Sequence, residues 1–424
     1  MSFLLFAQAV SFGSLVFCVL TMKSLHYYLL GTGSWFFAFG IQSVVFAWLV
    51  TIVLHETPKM VGLAQMALLI PATLLMLIGG SLADQYGGRR IVIIAQAAAA
   101  LAPLYLVALV VLDSLDYQGV IIFAIFMGCA QAFVTPARDS LLNQVAGGQI
   151  QRRVLQTSMT QFGVQMLGFI AASFADRTGA ALILMVQVAS MLMGVYAFYR
   201  LDIPSPAPRA RTQGILKEVT GSIVEGYKTV RASPNMRAVV IQNCAMGIFF
   251  MGSYIVTLPL LVRDVYQGAS FELSWMNAAN ALGLVTTIMI LLRFGDIHRQ
   301  GRALILAHAG GSIALASAGL GFGFTSVVAC VFAWGICGGV AMTMARTIVQ
   351  EQAPEGQRGR MMAFHSFSFM GSGPIGALFC GFLVEQVGPK SALMVASSLM
   401  FAVMFALRYF SSLWRLDSRE HRQL

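Results

Sequence analysis

The chain has 424 residues, 58% of them hydrophobic and only 10% charged, and its mean hydropathy is +0.78. Soluble domains carry about 25% charge, so 27 basic and 17 acidic side chains are too few to solvate a globule of this length and argue against a soluble enzyme, a nucleic-acid-binding protein or a disordered chain. What remains is a protein that crosses a membrane many times, in which the net charge of +10 matters through its distribution rather than its sign.

The first segment, Met1–Thr21, is apolar and uncharged and lacks the basic start of a signal peptide. It reads either as an extra, thirteenth span or as sequence upstream of a translation start at Met22. Apolar runs then predict spans at 28–54, 62–83, 91–112, 118–136, 154–175 and 179–199. The stretch 200–237 opens with Pro204, Pro206 and Pro208, which suit an extended linker. Leu216, Val219, Ile223, Tyr227 and Val230 follow at helical spacing and predict an amphipathic helix lying at the membrane surface. Six more spans are expected at 238–262, 273–293, 303–323, 325–345, 361–384 and 391–407. Runs this long are about twice the length of a barrel strand, so the spans are expected to be helices.

Charge orients these spans. With the start of the first on the cytoplasmic side, 23 of the 27 cations lie there and only Lys59, Arg177, Arg263 and Lys390 lie opposite. That asymmetry predicts both termini in the cytoplasm and an even number of crossings, provided that the first segment does not span. A shift of 208 residues lays Ala137-Arg138 over Ala345-Arg346, Gln144 over Gln352, Arg152 over Arg360, Gly163 over Gly371 and Gly168 over Gly376. The expected architecture is an all-α membrane protein of twelve helices in two parallel six-helix pseudo-repeats. Its divisions are a hydrophobic extension (1–22), a first half (23–199), a linker (200–237), a second half (238–408) and a cytoplasmic tail (409–424).

The most informative motif is Gly80-Ser81-Leu82-Ala83-Asp84-Gln85-Tyr86-Gly87-Gly88-Arg89-Arg90, between the second and third spans. Its glycines permit a tight loop and close helix approach. Asp84 sets a carboxylate at the membrane surface beside Arg89 and Arg90, able to pair locally or to face a helix N-terminus. This segment resembles the signature of the major facilitator superfamily, matched at Gly80, Leu82, Asp84, Gly87 and Arg89. It departs at Gln85, where Arg is common, and at Gly88, where a basic residue is usual. Thr135-Pro136-Ala137-Arg138 with Ser140-Leu141-Leu142, and Lys23-Ser24-Leu25-His26-Tyr27-Tyr28, are similar to the secretion-effector branch that includes enterobactin exporters. The resemblance covers about residues 23–408. It implies alternating access by two rocking halves, a gate at Gly80, Asp84, Gly87, Arg89 and Arg90 with Arg138 as partner, and a cavity lined by spans one, four, seven and ten. The second-half motif around Asp296 is degenerate, and Gly373-Pro374-Ile375-Gly376 resembles a helix-bending motif of exporters.

No acid lies in mid-span, so the expected cavity is neutral and aromatic: Trp35, Phe39 and Gln42 from span one, Gln131 from span four, Asn243, Phe250 and Tyr254 from span seven, and Trp334 from span ten. Such walls suit an amphipathic or aromatic substrate; taken singly, each residue equally suits helix packing. Gln161, Gln165, Asn277 and Asn280 could bond between helices. The six cysteines lie in apolar runs with no metal-binding spacing, and no P-loop is present. No cofactor is expected. The function expected is secondary export of a small amphipathic molecule (siderophore-, drug- or metabolite-like) across a bacterial inner membrane, by proton antiport, in a monomer embedded in membrane lipid. Uptake of a neutral solute, or a lipid flippase or membrane sensor on the same fold, are the alternatives.

Overall fold

The computed structural model describes residues 2–145, 150–203, 230–231, 233–294, 297–353 and 358–416. Among them there is no strand. The first helix, α1, covers Ser2–Trp48 and runs into a π-helical turn at Leu49–Val53. Then come α2 (Pro58–Tyr86), α3 (Gly88–Val111), α4 (Tyr117–Val145), α5 (Ile150–Ala172) and α6 (Ala180–Arg200). The second half begins with α7 (Pro234–Tyr266), which contains two π-helical stretches, Met246–Met251 and Ser253–Thr257. It continues with α8 (Ser270–Phe294), α9 (Gln300–Gly319) and α10 (Phe324–Gln352). The run Arg358–Phe410 breaks at Gly388 (φ 77°, ψ 164°), giving α11 (358–387) and α12 (389–410). The predicted linker helix at 216–230 and Asp296 fall outside the described residues, apart from Val230.

Nine stretches among the described residues are long and apolar enough to cross a membrane, and the last, Met361–Phe410, contains both α11 and α12. Local chemistry sets the helix starts. Thr57 and Ser233 each precede a proline and accept a bond from the backbone N–H three residues on, the pattern of an N-cap followed by Pro at the first helical position. Helices lie at the expected spans, several with longer ends, though α5 and α9 are not among those nine stretches and end at Ala172 and Gly319, short of the expected 175 and 323. Apolarity marks only the lipid-facing part of a helix, so α4 and α10 run on to Val145 and Gln352, beyond the expected 136 and 345.

Small residues hold the helices together. A Cβ on Gly168 of α5 would strike the Phe37 carbonyl and lie 3.0 Å from Cα of Gly40 on α1. A Cβ on Gly376 of α11 would strike the Gly247 carbonyl and lie 2.7 Å from Cα of Ile248 on α7. These are the same contact, displaced by 208 residues. The pairing of α2 with α4 at Gly79 and Gly128 likewise matches that of α8 with α10 at Gly283 and Gly335. Each half therefore repeats one packing plan, as parallel pseudo-repeats require. The halves meet along two seams, α2 against α11 and α5 against α8.

Candidate transport pathway and its gates

The seams close at one end. Asp176, just after α5, accepts hydrogen bonds from Trp48 Nε1 at 2.6 Å and, across the seam, from Ser270 N at 2.6 Å and Ser270 Oγ at 2.5 Å. Ser270 opens α8, so the Asp176 carboxylate caps a helix N-terminus of the other half, where the backbone dipole favours an anion. On the second seam Arg263 of α7 donates to Glu56 O at 2.6 Å and Thr51 O at 3.2 Å, while its remaining nitrogens hold Asp264. Deeper in, Gln65 Nε2 donates to Ile255 O at 3.1 Å and Thr73 Oγ1 to Met370 O at 3.2 Å.

The other end carries the signature segment. Asp84 lies eleven residues past Thr73, about 16 Å further along α2, and is exposed. Gly87 has φ 86° and makes the turn between α2 and α3, a left-handed conformation open to glycine. Gly88 answers its departure from the signature: a Cβ there would press on Ser140 Oγ and the Ala137 carbonyl of α4, so no basic side chain fits. Arg89 donates to Phe198 O at 3.1 Å and Tyr199 O at 2.5 Å, capping the end of α6, while Arg90 is exposed. Gly80 meets only Pro136 Cβ at 3.7 Å, and the close approach falls one residue earlier, at Gly79 against Ala132 and Phe133. Arg138 does not pair with Asp84 here. It is buried, holds Asp139 at 3.1 Å and lies with its guanidinium 4.5 Å from the Phe36 ring centroid.

Of the expected cavity residues, the structure brings three of the second half together. The Phe250 and Trp334 rings stand edge-on at 5.4 Å, and Trp334 meets Tyr254 at 6.0 Å. Tyr254 in turn donates to Asn277 Oδ1 at 2.6 Å. Asn243 turns instead to α11, binding the His365 carbonyl at 3.2 Å, the His365 ring nitrogen at 2.7 Å and Ser368 Oγ at 3.2 Å. Trp35 and Gln42 are buried within the first half; Phe39 and Gln131 are half-buried, Phe39 lying against Phe36. His308, which the sequence sets with His365 near a cytoplasmic helix end as an interface residue suited to carry a proton, lies more than two turns inside α9, stacks on Phe250 at 5.9 Å and bonds Gln242 at 3.0 Å. Sequence reasoning missed the Asp176–Ser270 latch, which joins residues 94 positions apart and leaves no local signal.

Two bundles of matching plan, bridged across both seams at the Asp176 end, form a membrane transporter fold. A family profile described as transmembrane secretion effector matches residues 19–423, and the chain belongs to that family of the major facilitator superfamily. Among curated proteins it is similar to the enterobactin exporter EntS of Escherichia coli strain K12, 21% identical over 350 residues, covering 79% of this chain and 81% of that one. Among solved structures it is similar to the nucleoside transporter NupG (TM-score 0.69, 14% identity, 92% of this chain and 98% of that one). A second is the POT family transporter PepTSo (TM-score 0.72, 12% identity, 95% and 98%). At these identities the solved structures establish the fold, and the chain is a multi-pass inner-membrane transporter of bacterial type.

Proposed function

We propose that this protein exports a small amphipathic molecule from the cytoplasm, driven by proton antiport. The observation that carries this reading is the set of bonds that latches the halves at the Asp176 end, while Asp84 of the signature segment at the other end is exposed. The excess of basic residues on one side supports a cytoplasmic Asp84 end, and the reading takes twelve crossings and a single chain as the working unit. A substrate would then enter from inside, against the Phe250, Tyr254 and Trp334 rings. The likeness to enterobactin exporters supports the outward direction. Comparing small molecules in cells and medium, with and without the gene, tests it. Export predicts a compound that accumulates inside and falls outside on deletion. The reverse pattern would mean uptake, and no change with the protein present would favour a flippase or sensor.

The proton needs a carrier, and histidine is the side chain whose ordinary titration lies nearest neutrality. His308 and His365 are clamped by neighbours on α7, Gln242 and Asn243. Gln242 Oε1 is buried without a partner, so turning that amide over would let it accept from a protonated ring. His308→Asn should abolish pH-gradient-driven export while sparing gradient-free substrate exchange across liposomes. Retained coupling would remove His308 as the carrier.

A further inference from the structure

Arg138 lies two turns before the end of α4 and is only 6% exposed. Its Nη2 holds Asp139, whose side chain is 65% exposed and shared with water, but its Nη1 is buried and unpartnered. An ionisable side chain enclosed in a membrane bundle is a functional feature by default. Among the described residues Asp139 is the only carboxylate bonded to Arg138. Phe36, Thr32 and Tyr28 stand four residues apart on α1 and so share one face. Phe36 underlies the guanidinium. Tyr28 lies within electrostatic reach of Arg138 and beside Thr32 and Thr157. Tyr28 Oη and Thr32 Oγ1 are both fully buried and lie beside one another, with no partner outside this group. On α5, Thr157 spends its hydroxyl on Arg153 O at 2.9 Å, and Arg153, one turn earlier, leaves Nε buried and unpartnered.

Arg138 thus keeps an unspent N–H over an aromatic ring, beside the buried hydroxyls of Tyr28 and Thr32. Buried polar groups are normally satisfied, and an enclosed guanidinium N–H, which can only donate, with hydroxyls beside it that can also donate, suits an acceptor with several lone pairs and negative charge. A carboxylate meets a guanidinium fork in this way, and the Phe36 and Tyr28 rings offer faces to a flat, apolar remainder. We propose that this cluster is a substrate subsite for the anionic oxygen group of an aromatic acid, so that the transported molecule is anionic rather than neutral. The assignment rests on the export reading above and narrows its substrate class.

The test is calorimetric titration of the purified full chain in detergent with salicylate and with salicylamide, its uncharged counterpart. Wild type should bind salicylate at least about tenfold more tightly, a difference of one factor of ten in the binding constant. Arg138→Gln should erase that preference, and Tyr28→Phe should weaken salicylate alone. Arg138→Lys, which keeps the charge without the fork, should retain partial preference and covers the case in which the glutamine variant does not fold. Equal binding of the two compounds by wild type, or unchanged salicylate binding by Arg138→Gln, would overturn the proposal. So would sodium chloride reproducing the salicylate signal, which would make this an inorganic-anion site. Binding in detergent needs no gradient. Export without salicylate binding would therefore fault the subsite alone, and salicylate binding without export would fault the transport reading alone.

Discussion

Gly376→Val is expected to prevent accumulation of folded protein. A Cβ at this position would lie 2.6 Å from Ile248 O and 2.7 Å from Ile248 Cα, and would strike the Gly247 carbonyl. These are backbone atoms of α7, so no rotamer change relieves them, and α7 and α11 would have to separate. In a membrane, helix association draws on close packing rather than on water exclusion, and overpacking alone costs about 1–3 kcal/mol. Gly168→Val should do the same to α1 and α5, because the contact is the same one in the other half. Gly163 shows that a shared repeat position is not enough. No atom lies within 4 Å of its would-be Cβ, so Gly163→Ala should be neutral or stabilise by about 0.5–1 kcal/mol through helix propensity. Size-exclusion profiles and thermal melting of the detergent-solubilised variants check all three. A monodisperse Gly376→Val protein melting like wild type would refute the packing described here.

What the sequence disclosed and what it hid follow from distance along the chain. Apolar runs and basic loops are local, so they revealed the helices, and a repeat is a comparison of the chain with itself, so it marked Gly168 and Gly376. Gly87 was legible because a tight turn between two helices needs its backbone. Arg138 reads as a residue at the end of span four because apolarity ends at 136, whereas α4 continues to Val145 and the side chain is buried. Gly79 and Gly80 cannot be told apart in sequence; only the path of α4 decides which meets a backbone. The first-half cavity residues and the Phe250–Trp334–Tyr254 group look alike as aromatic helix faces. Their different packing depends on how helices rotate about their axes, which no single span encodes.

Asp176→Ala is expected to open the latched end. Its carboxylate takes bonds from Trp48 Nε1, Ser270 N and Ser270 Oγ, the last two from the opposite half. Hydrogen bonds to a charged group contribute about 1.5–3 kcal/mol each. Those across the seam break when the halves rock apart, so they stabilise this conformation over its counterpart. Losing them should shift the equilibrium toward the opposite opening by about tenfold or more, since roughly 1.4 kcal/mol is a factor of ten. Asp84 stands in the reverse situation. It is exposed here, so whatever it contacts when its own end closes is gained in the other state. Asp84→Asn should therefore favour the present conformation, lower turnover and leave substrate affinity nearly unchanged. The two substitutions act on one equilibrium from opposite sides, and the double variant should fall between the single ones. Spin labels at Lys59 and Gln386, at the latched ends of α2 and α11, read this directly in a cysteine-free background. Wild type should give a short distance, Asp176→Ala should add a longer one, and Asp84→Asn introduced into Asp176→Ala should reduce it again. If Asp176→Ala leaves the distance distribution unchanged, the carboxylate closes no gate; if Asp84→Asn lengthens it, the two ends do not share one rocking motion.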